Sequence, residues 1–156
     1  MERKRLTVFS LLVKAININL KGVKMKILVV DDMTSMRHVI IHILRSLGYS
    51  DIEEATNGKQ ALLMLKKISF DLLITDFHMP KLNGKQLLEQ IRKDKDNNLR
   101  NLPVLMVTCE SEKESVKAMI ACKVTGFVVK PFTTQTLIKQ LKLITPKVTS
   151  RICKAS

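Results

Sequence analysis

The stretch from Asp71 to Gly84 reads Asp-Leu-Leu-Ile-Thr-Asp-Phe-His-Met-Pro-Lys-Leu-Asn-Gly. Its apolar and β-branched run, Leu72–Thr75, is typical of a strand buried on both faces of a parallel sheet. The run ends on the carboxylate of Asp76, and Pro80 and Gly84 then delay the next helix. Ligand sites in open α/β sheets lie beyond the carboxyl ends of the strands, so Asp76 is a candidate functional residue. Taken alone, an Asp at this position is as readily a simple turn residue.

The composition indicates one globular domain with an excess of positive charge. The chain has 156 residues, 46% of them hydrophobic, and a formal net charge of +13. Residues 1–24 carry six Lys or Arg side chains and one Glu, and residues 142–156 carry four and no acid. Most of the basicity therefore lies at the two ends and is not interleaved with aromatic residues, so we expect no nucleic-acid partner.

Cysteine and histidine usage argues against a disulfide framework and against a zinc site. The three cysteines, Cys109, Cys122 and Cys153, form no Cys-x-x-Cys pair. They fit a reducing compartment, so we expect a cytoplasmic protein. His38 and His42 share a predicted helix face, but no second ligand pair accompanies them.

The two ends of the chain are interpreted as additions to one domain. Residues 1–24 combine a basic cluster with an apolar stretch that Lys14 interrupts. That stretch is shorter than the ~20 residues that span a bilayer, so we expect an N-terminal extension without stable membrane insertion. A surface-binding amphipathic anchor is the alternative interpretation. The domain is predicted over residues 25–145. Pro146 is predicted to end its last helix and to leave a short basic tail, residues 146–156.

Between these ends, five strand patterns alternate with five helix patterns. Thr34 or Ser35 is expected to cap the first helix, Gly48 to end it, and Thr133 or Thr134 to cap the last. Residues 94–101 form a polar loop after the third helix. Alternation of this kind predicts an α/β fold with a parallel five-stranded sheet covered on both faces. The predicted strands are 26–30, 52–56, 71–76, 103–108 and 126–129.

Residues with reactive or metal-ligating side chains lie at the ends of four of the five predicted strands. These are Asp31 and Asp32, Asp76, Thr108 and Lys130. Because parallel strands place their carboxyl ends on one edge, we expect the five side chains to converge there. Crowded carboxylates call for a cation, and hard oxygen ligands select Mg²⁺.

A carboxylate at this edge is a candidate nucleophile for a phosphoryl group. Asp76 would accept the group, and Lys130 and the Thr108 hydroxyl would stabilise the charge on its oxygens. An X-Pro bond permits the cis form, and a cis Lys130–Pro131 bond that directs Lys130 inward is a hypothesis.

These residues carry a family resemblance. The motifs 30–32, 71–84, Thr108 and 130–132 together resemble the receiver domain of two-component response regulators, over nearly the whole chain from Met25 to Ile144. The resemblance implies a flavodoxin-like, doubly wound sheet in the order 2-1-3-4-5. Within the family, the motifs are most similar to the single-domain chemotaxis type.

The resemblance also implies roles for individual residues. Asp76 would be the phosphoacceptor, and Asp31, Asp32 and Asp76 would hold Mg²⁺ together with the backbone carbonyl of His78. Thr108 and Phe127 would form the switch pair, and Lys130 would contact the phosphoryl group. Two departures are His78, where the chemotaxis type commonly has Asn, and Phe127, which replaces the usual Tyr.

The implied protein is a signalling module, not an enzyme. A sensor histidine kinase would phosphorylate it, and its expected partners are a flagellar motor switch protein and a phosphatase. We expect a stand-alone, monomeric regulator, since about a dozen residues follow the last predicted helix. The alternative within the family is a phosphorelay intermediate that passes its phosphoryl group to a histidine phosphotransfer protein.

Two other classes share this kind of sheet. An aspartyl-phosphate phosphatase needs a second acid in an Asp-x-Asp motif, but this chain has His78 at that position. A flavin carrier needs a Gly- and hydroxyl-rich phosphate loop after the first strand, whereas Asp31 and Asp32 stand there.

Overall fold

The computed structural model describes residues 24–109 and 113–155. The extension predicted over residues 1–24 therefore lies, except for Lys24, outside the described residues. In chain order, the elements are β1 (Ile27–Val30), α1 (Thr34–Ser46), β2 (Ile52–Ala55), α2 (Gly58–Lys67), β3 (Leu72–Asp76), α3 (Gly84–Arg92), α4 (Asn97–Arg100), β4 (Val104–Thr108), α5 (Lys113–Ala121), β5 (Gly126–Val129) and α6 (Thr134–Ala155).

The five strands form one parallel sheet in the order β2-β1-β3-β4-β5. This confirms the predicted α/β fold class and its strand order. β3 is central and fully buried, as the apolar run in its sequence predicts. Ligand sites of such sheets lie at the crevice where the strand order reverses, which here is the carboxyl edge of β1 and β3.

The sheet has a hydrophobic core on each face because its strand side chains alternate between the faces. Ile27 and Val29 of β1 pack with α1 and α6, whereas Leu28 and Val30 pack with α2, α3 and α5. The two cores hold the strands in place and so fix the positions of the strand ends. No helix among the described residues has the length and apolar character needed to cross a bilayer.

The described residues contain six helices, one more than the sequence predicts. The additional helix is the four-residue α4, which lies in the stretch predicted as a polar loop. The Asp96 side chain accepts a hydrogen bond from the Asn98 amide at 2.8 Å, and Leu99 is buried. One cap and one apolar anchor are therefore enough to form a single helical turn here.

The prediction that Pro146 ends the last helix is wrong. α6 continues through Pro146 to Ala155, so residues predicted as a basic tail are helical as far as Ala155. Val148 is fully buried, and Ile152 packs against the same core. Because both residues extend the helical spacing of Leu141 and Ile144, apolar burial outweighs the hydrogen bond that the proline removes.

Candidate functional site

Asp76 is the last residue of β3, and its carboxylate is 6% exposed at the carboxyl edge of the sheet. Lys130 follows β5, and its amide donates to the Thr108 carbonyl at 2.7 Å. The Lys130 ammonium reaches across this edge and lies 3.2 Å from Asp76 Oδ1 and 3.0 Å from Asp31 Oδ2. The strand ends thus bring the lysine and two of the predicted carboxylates into direct contact.

Three carboxylates form the acidic part of the site. One oxygen from each of Asp31, Asp32 and Asp76 lies within 4.8 Å of the others. Asp31 is 1% exposed, whereas Asp32 is open to solvent. The donor set suits Mg²⁺, which takes hard oxygen ligands and keeps several waters, and the solvent-facing side at Asp32 leaves room for these.

The electrostatics of the site follow from burial and from like charge. Burial raises the pKa of Asp76, the charge of Lys130 lowers it, and the charge of Asp31 raises it, with a net shift upward. Burial lowers the pKa of Lys130, but its hydrogen bond to Asp31 and the charge of Asp76 outweigh burial and leave that pKa raised. Lys130 therefore stays protonated, while one lysine does not fully offset the buried carboxylates.

A family model described as the response regulator receiver domain matches residues 27–142. The chain belongs to this family. It is 45% identical over 120 residues to the chemotaxis protein CheY-3 of Vibrio cholerae serotype O1, which covers 77% of this chain and 91% of that protein. It is 44% identical over 124 residues to the chemotaxis protein CheY of Pseudomonas aeruginosa, covering 80% of this chain and 98% of that one.

Solved structures agree with the family assignment. The chemotaxis response regulator CheY4 of Vibrio cholerae superimposes with a TM-score of 0.70 at 35% identity, over 77% of this chain and 98% of that chain. A second match is the receiver domain of the sensor histidine kinase PA1611 from Pseudomonas aeruginosa, which was solved with magnesium in its active-site cleft. It superimposes with a TM-score of 0.68 at 25% identity, over 78% of this chain and 98% of that chain.

In this receiver domain, Asp31 also organises the start of α1. Its Oδ1 accepts a hydrogen bond from the Met33 amide at 2.8 Å. The prediction that Thr34 or Ser35 caps α1 is wrong, because the helix begins at Thr34 with Met33 as a cap residue that offers no side-chain bond. The Asp31 carboxylate thus satisfies an amide at the start of α1, as the side chain of a separate cap residue otherwise would.

Arg37 is a supporting residue that the sequence did not reveal. It is a charged residue of α1, yet it is only 7% exposed. Its Nη1 donates to the Asp31 carbonyl at 2.8 Å, and its Nε donates to Glu54 Oε2 at 2.9 Å. A signal was present, since Arg37 precedes the buried Ile41 and Leu44 by one and two helical turns.

Gly84 allows α3 to approach the site closely. A Cβ atom at this position would lie 2.1 Å from the Asp76 carbonyl oxygen, which no real side chain could tolerate. The Gly84 amide also donates to the Phe77 carbonyl at 2.8 Å. Asn83 and Gln86 form a reciprocal capping box that fixes the start of α3. The sequence predicts only that Gly84 delays the next helix. The structure shows in addition that glycine is required here for steric reasons.

The remaining predicted residues occupy distinct environments. Thr108 is buried at the end of β4, on the same sheet edge as Asp76. Phe127 of β5 pairs with Met106 and is half-buried against the α2–α3–α5 core. His78 is exposed, and its ring makes an edge contact with Phe77 at 4.9 Å between centroids. The Lys130–Pro131 bond is cis, as hypothesised.

Proposed function

We propose that this receiver domain accepts a phosphoryl group on Asp76 from a sensor histidine kinase and signals by phosphorylation-dependent protein binding in chemotaxis. The observation that carries the proposal is the Asp76 carboxylate, 3.2 Å from the Lys130 ammonium and grouped with two further carboxylates. This arrangement pairs a nucleophile with the charge that phosphoryl transfer requires.

The transfer step follows from these positions. An Asp76 oxygen attacks the phosphorus of a phosphohistidine, the P–N bond breaks, and the imidazole leaves with the bonding electrons and takes up a proton. The product is an acyl phosphate on Asp76. Lys130 neutralises charge on the transferring oxygens, and the buried Thr108 hydroxyl lies at the same edge to receive one of them.

Mg²⁺ is the proposed cofactor, held by Asp31, Asp32 and Asp76 with the backbone carbonyl of His78. When bound, it would supply the positive charge that offsets the carboxylates and phosphoryl oxygens. The magnesium in the cleft of the PA1611 receiver domain supports this choice.

The chemotaxis role rests on the relatives. Two of them are named chemotaxis proteins, match at 44–45% identity and are covered over 91% and 98% of their length. We therefore propose a cytoplasmic regulator whose partners are a flagellar motor switch protein and a phosphatase.

A phosphorelay intermediate is the second candidate. Two apolar side chains are exposed on or beside α1, Met33 at 55% and Val39 at 48%. Met33 adjoins Asp32, so a histidine phosphotransfer protein could contact α1 and reach Asp76 together.

The acceptor is tested by intact-mass measurement after incubation with Mg²⁺ and acetyl phosphate. The parent protein should gain one phosphoryl group, and Asp76→Asn should gain none. Asp51→Asn is the matched control, because Asp51 is an exposed carboxylate paired only at the surface with Lys26. Phosphorylation that persists in Asp76→Asn would refute the assignment.

A further inference from the structure

A cleft with a volume of about 1210 Å³ lies at the amino-terminal edge of the sheet. Its walls include the residues just before β4, the residues just before β5, the end of α3 and the second half of α6. The strands separate this cleft from Asp76 by roughly 13–17 Å, at about 3.3 Å per residue. It is therefore distinct from the phosphoacceptor site.

The lining of this cleft is strongly basic. Its charged members comprise seven cations and one acid, Glu89. A concave surface lined by one sign of charge focuses the electrostatic potential and concentrates counter-ions. The cations are Arg92, Lys93, Arg100, Lys123, Lys147, Arg151 and Lys154.

Within residues 24–109 and 113–155, two guanidinium groups of the cleft have no charged partner in direct contact. Arg92 donates only to backbone carbonyls, including that of Leu102 at 2.8 Å and that of Lys123 at 2.9 Å. Arg151 Nη2 donates to the Asn98 carbonyl, and its Nη1 is buried with no hydrogen-bond partner within the described residues. A buried donor without a partner carries a desolvation cost, so the charge of Arg151 is poorly compensated.

The electrostatic balance of this pair is unfavourable. Burial lowers the pKa of Arg92, and the like charge of Arg151 lowers it further. Burial likewise lowers the pKa of Arg151, although the carboxylates of Asp71 and Asp96 oppose that effect. Burial and the positive charge of Arg151 therefore both disfavour the charged form of Arg92.

Helix capping explains only part of this charge. Arg92 and Arg100 lie in the last turns of α3 and α4, where cations stabilise the helix dipole. Lys147, Arg151 and Lys154, however, share one face of α6 at spacings of four and three residues. All three lie beyond residue 142, where the match to the receiver family ends. Three of the seven cations therefore follow the region that the family model matches, and four lie within it.

We propose that this cleft binds a small ligand that carries two or more phosphate groups. Cations from different elements, such as Lys123 before β5 and Lys154 of α6, suit separate phosphates. Arginine presents paired donors that match phosphate oxygens. The volume exceeds the range of about 300–1,000 Å³ usual for small-molecule pockets, so several phosphates fit. No aromatic residue lines the cleft to stack a base, and a nucleic-acid strand is therefore disfavoured.

The probe for the test is sodium tripolyphosphate, titrated calorimetrically into the full chain at fixed ionic strength and without Mg²⁺. The expected result is one site whose affinity falls as salt rises. Arg151→Gln, and separately Lys147→Gln combined with Lys154→Gln, should each weaken binding by at least about tenfold, equivalent to ~1.4 kcal/mol. Arg151→Lys should retain part of the affinity because it keeps the charge.

Lys139→Gln is the matched control, because Lys139 is an exposed lysine of α6 outside the cleft. It removes one positive charge, as Arg151→Gln does, and should leave the affinity nearly unchanged. Lys147 and Lys154 are exposed, so their double variant should fold normally, and thermal melts verify this. Residues 1–24 are identical in every variant, and differences therefore report on the cleft.

Parallel titrations with orthophosphate, ATP and a DNA duplex define the ligand. Tripolyphosphate or ATP should bind more tightly than orthophosphate if several phosphates are recognised together. Absence of tripolyphosphate binding, an equal loss in Lys139→Gln, or tighter binding of the duplex would each overturn the proposal. These outcomes are independent of Asp76 phosphorylation, which is measured separately.

Discussion

At the scale of single residues, two adjacent carboxylates have different roles. Asp31 is buried, accepts a hydrogen bond from the Met33 amide and forms an ion pair with Lys130. It therefore supports the fold as well as belonging to the acidic site. Asp32 is exposed, and its carboxylate makes no such contact with the residues that the structure describes. Substitution of Asp32 should therefore change metal binding without disturbing the fold.

We expect Asp32→Ala to lower Mg²⁺ affinity by at least about tenfold, since it removes a proposed ligand. In metal-free buffer its stability should stay within about 0.5 kcal/mol of the parent or rise, because one of three crowded like charges is gone. Asp31→Ala is the contrasting variant. It should lose affinity and also about 1–3 kcal/mol of stability, because Lys130 and the Met33 amide lose a partner.

The checks are a Mg²⁺ titration followed by NMR and a thermal melt of each variant without metal. Unchanged affinity in Asp32→Ala would remove this residue from the proposed ligand set. Equal destabilisation of the two variants would show that the exposed carboxylate has a structural role.

At the scale of elements, the sequence predicts structure well where local signals act alone. Gly48 follows the last turn of α1 with a positive φ of 95°, as predicted from its position. The Thr133 hydroxyl accepts a hydrogen bond from the Thr136 amide at the start of α6. Each of these features depends on a few neighbouring residues, which is why the sequence alone reveals it.

Features that depend on tertiary contacts were missed. Pro146 reads as a helix stop, and only the burial of Val148 against the sheet shows why α6 continues. Arg37 reads as a surface residue, and only its bond to the Asp31 carbonyl explains its burial. In the site, the convergence of Asp31, Asp76 and Lys130 was predictable from parallel topology, but the supporting contacts were not.

The contact between α3 and β3 gives a prediction at this scale. Gly84→Ala would drive a methyl group into the Asp76 carbonyl, so α3 or the end of β3 must move. We expect a loss of about 1–3 kcal/mol or more of stability and a clear drop in phosphorylation by acetyl phosphate. Stability is measured by denaturant unfolding, and phosphorylation by intact mass.

Gly48→Ala is the matched glycine control. Its new methyl group would meet nothing within 4 Å, so the only cost is its positive φ. This variant should lose roughly 1 kcal/mol while its phosphorylation stays normal. If both variants lose phosphorylation in proportion to stability, the effect at Gly84 is not specific to the site.

At the scale of the whole molecule, charge is divided between the two edges of the sheet. The three clustered carboxylates occupy the carboxyl edge, whereas the basic cleft occupies the amino edge. In the proposed function, a phosphoryl group adds negative charge at the acidic edge, and a partner that binds away from this edge responds to it only through a change of conformation. A partner would detect that change on the faces of the domain that lie between these two edges.

The proposed output is a change in the face formed by α5, β5 and α6. Thr108 is buried and Phe127 is half-buried. In the proposed switch, Thr108 would move toward the phosphoryl oxygens and vacate space into which Phe127 would turn. With Mg²⁺ and beryllofluoride as the phosphoryl mimic, a motor switch peptide should bind more tightly and perturb NMR signals of residues 116–127. Phe127→Ala should still accept a phosphoryl group on Asp76 but should lose the dependence of binding on the mimic.

Val39→Ala is the control for the competing surface, because Val39 is an exposed apolar residue of α1. In the motor role it should leave peptide binding unchanged, whereas a relay partner that docks on α1 would lose affinity in this variant. Perturbations confined to α1 and the surroundings of Asp76, or binding that ignores the mimic, would favour the phosphorelay role. The two roles are thus separated by which helix responds, since α1 and α5 lie on opposite faces of the sheet.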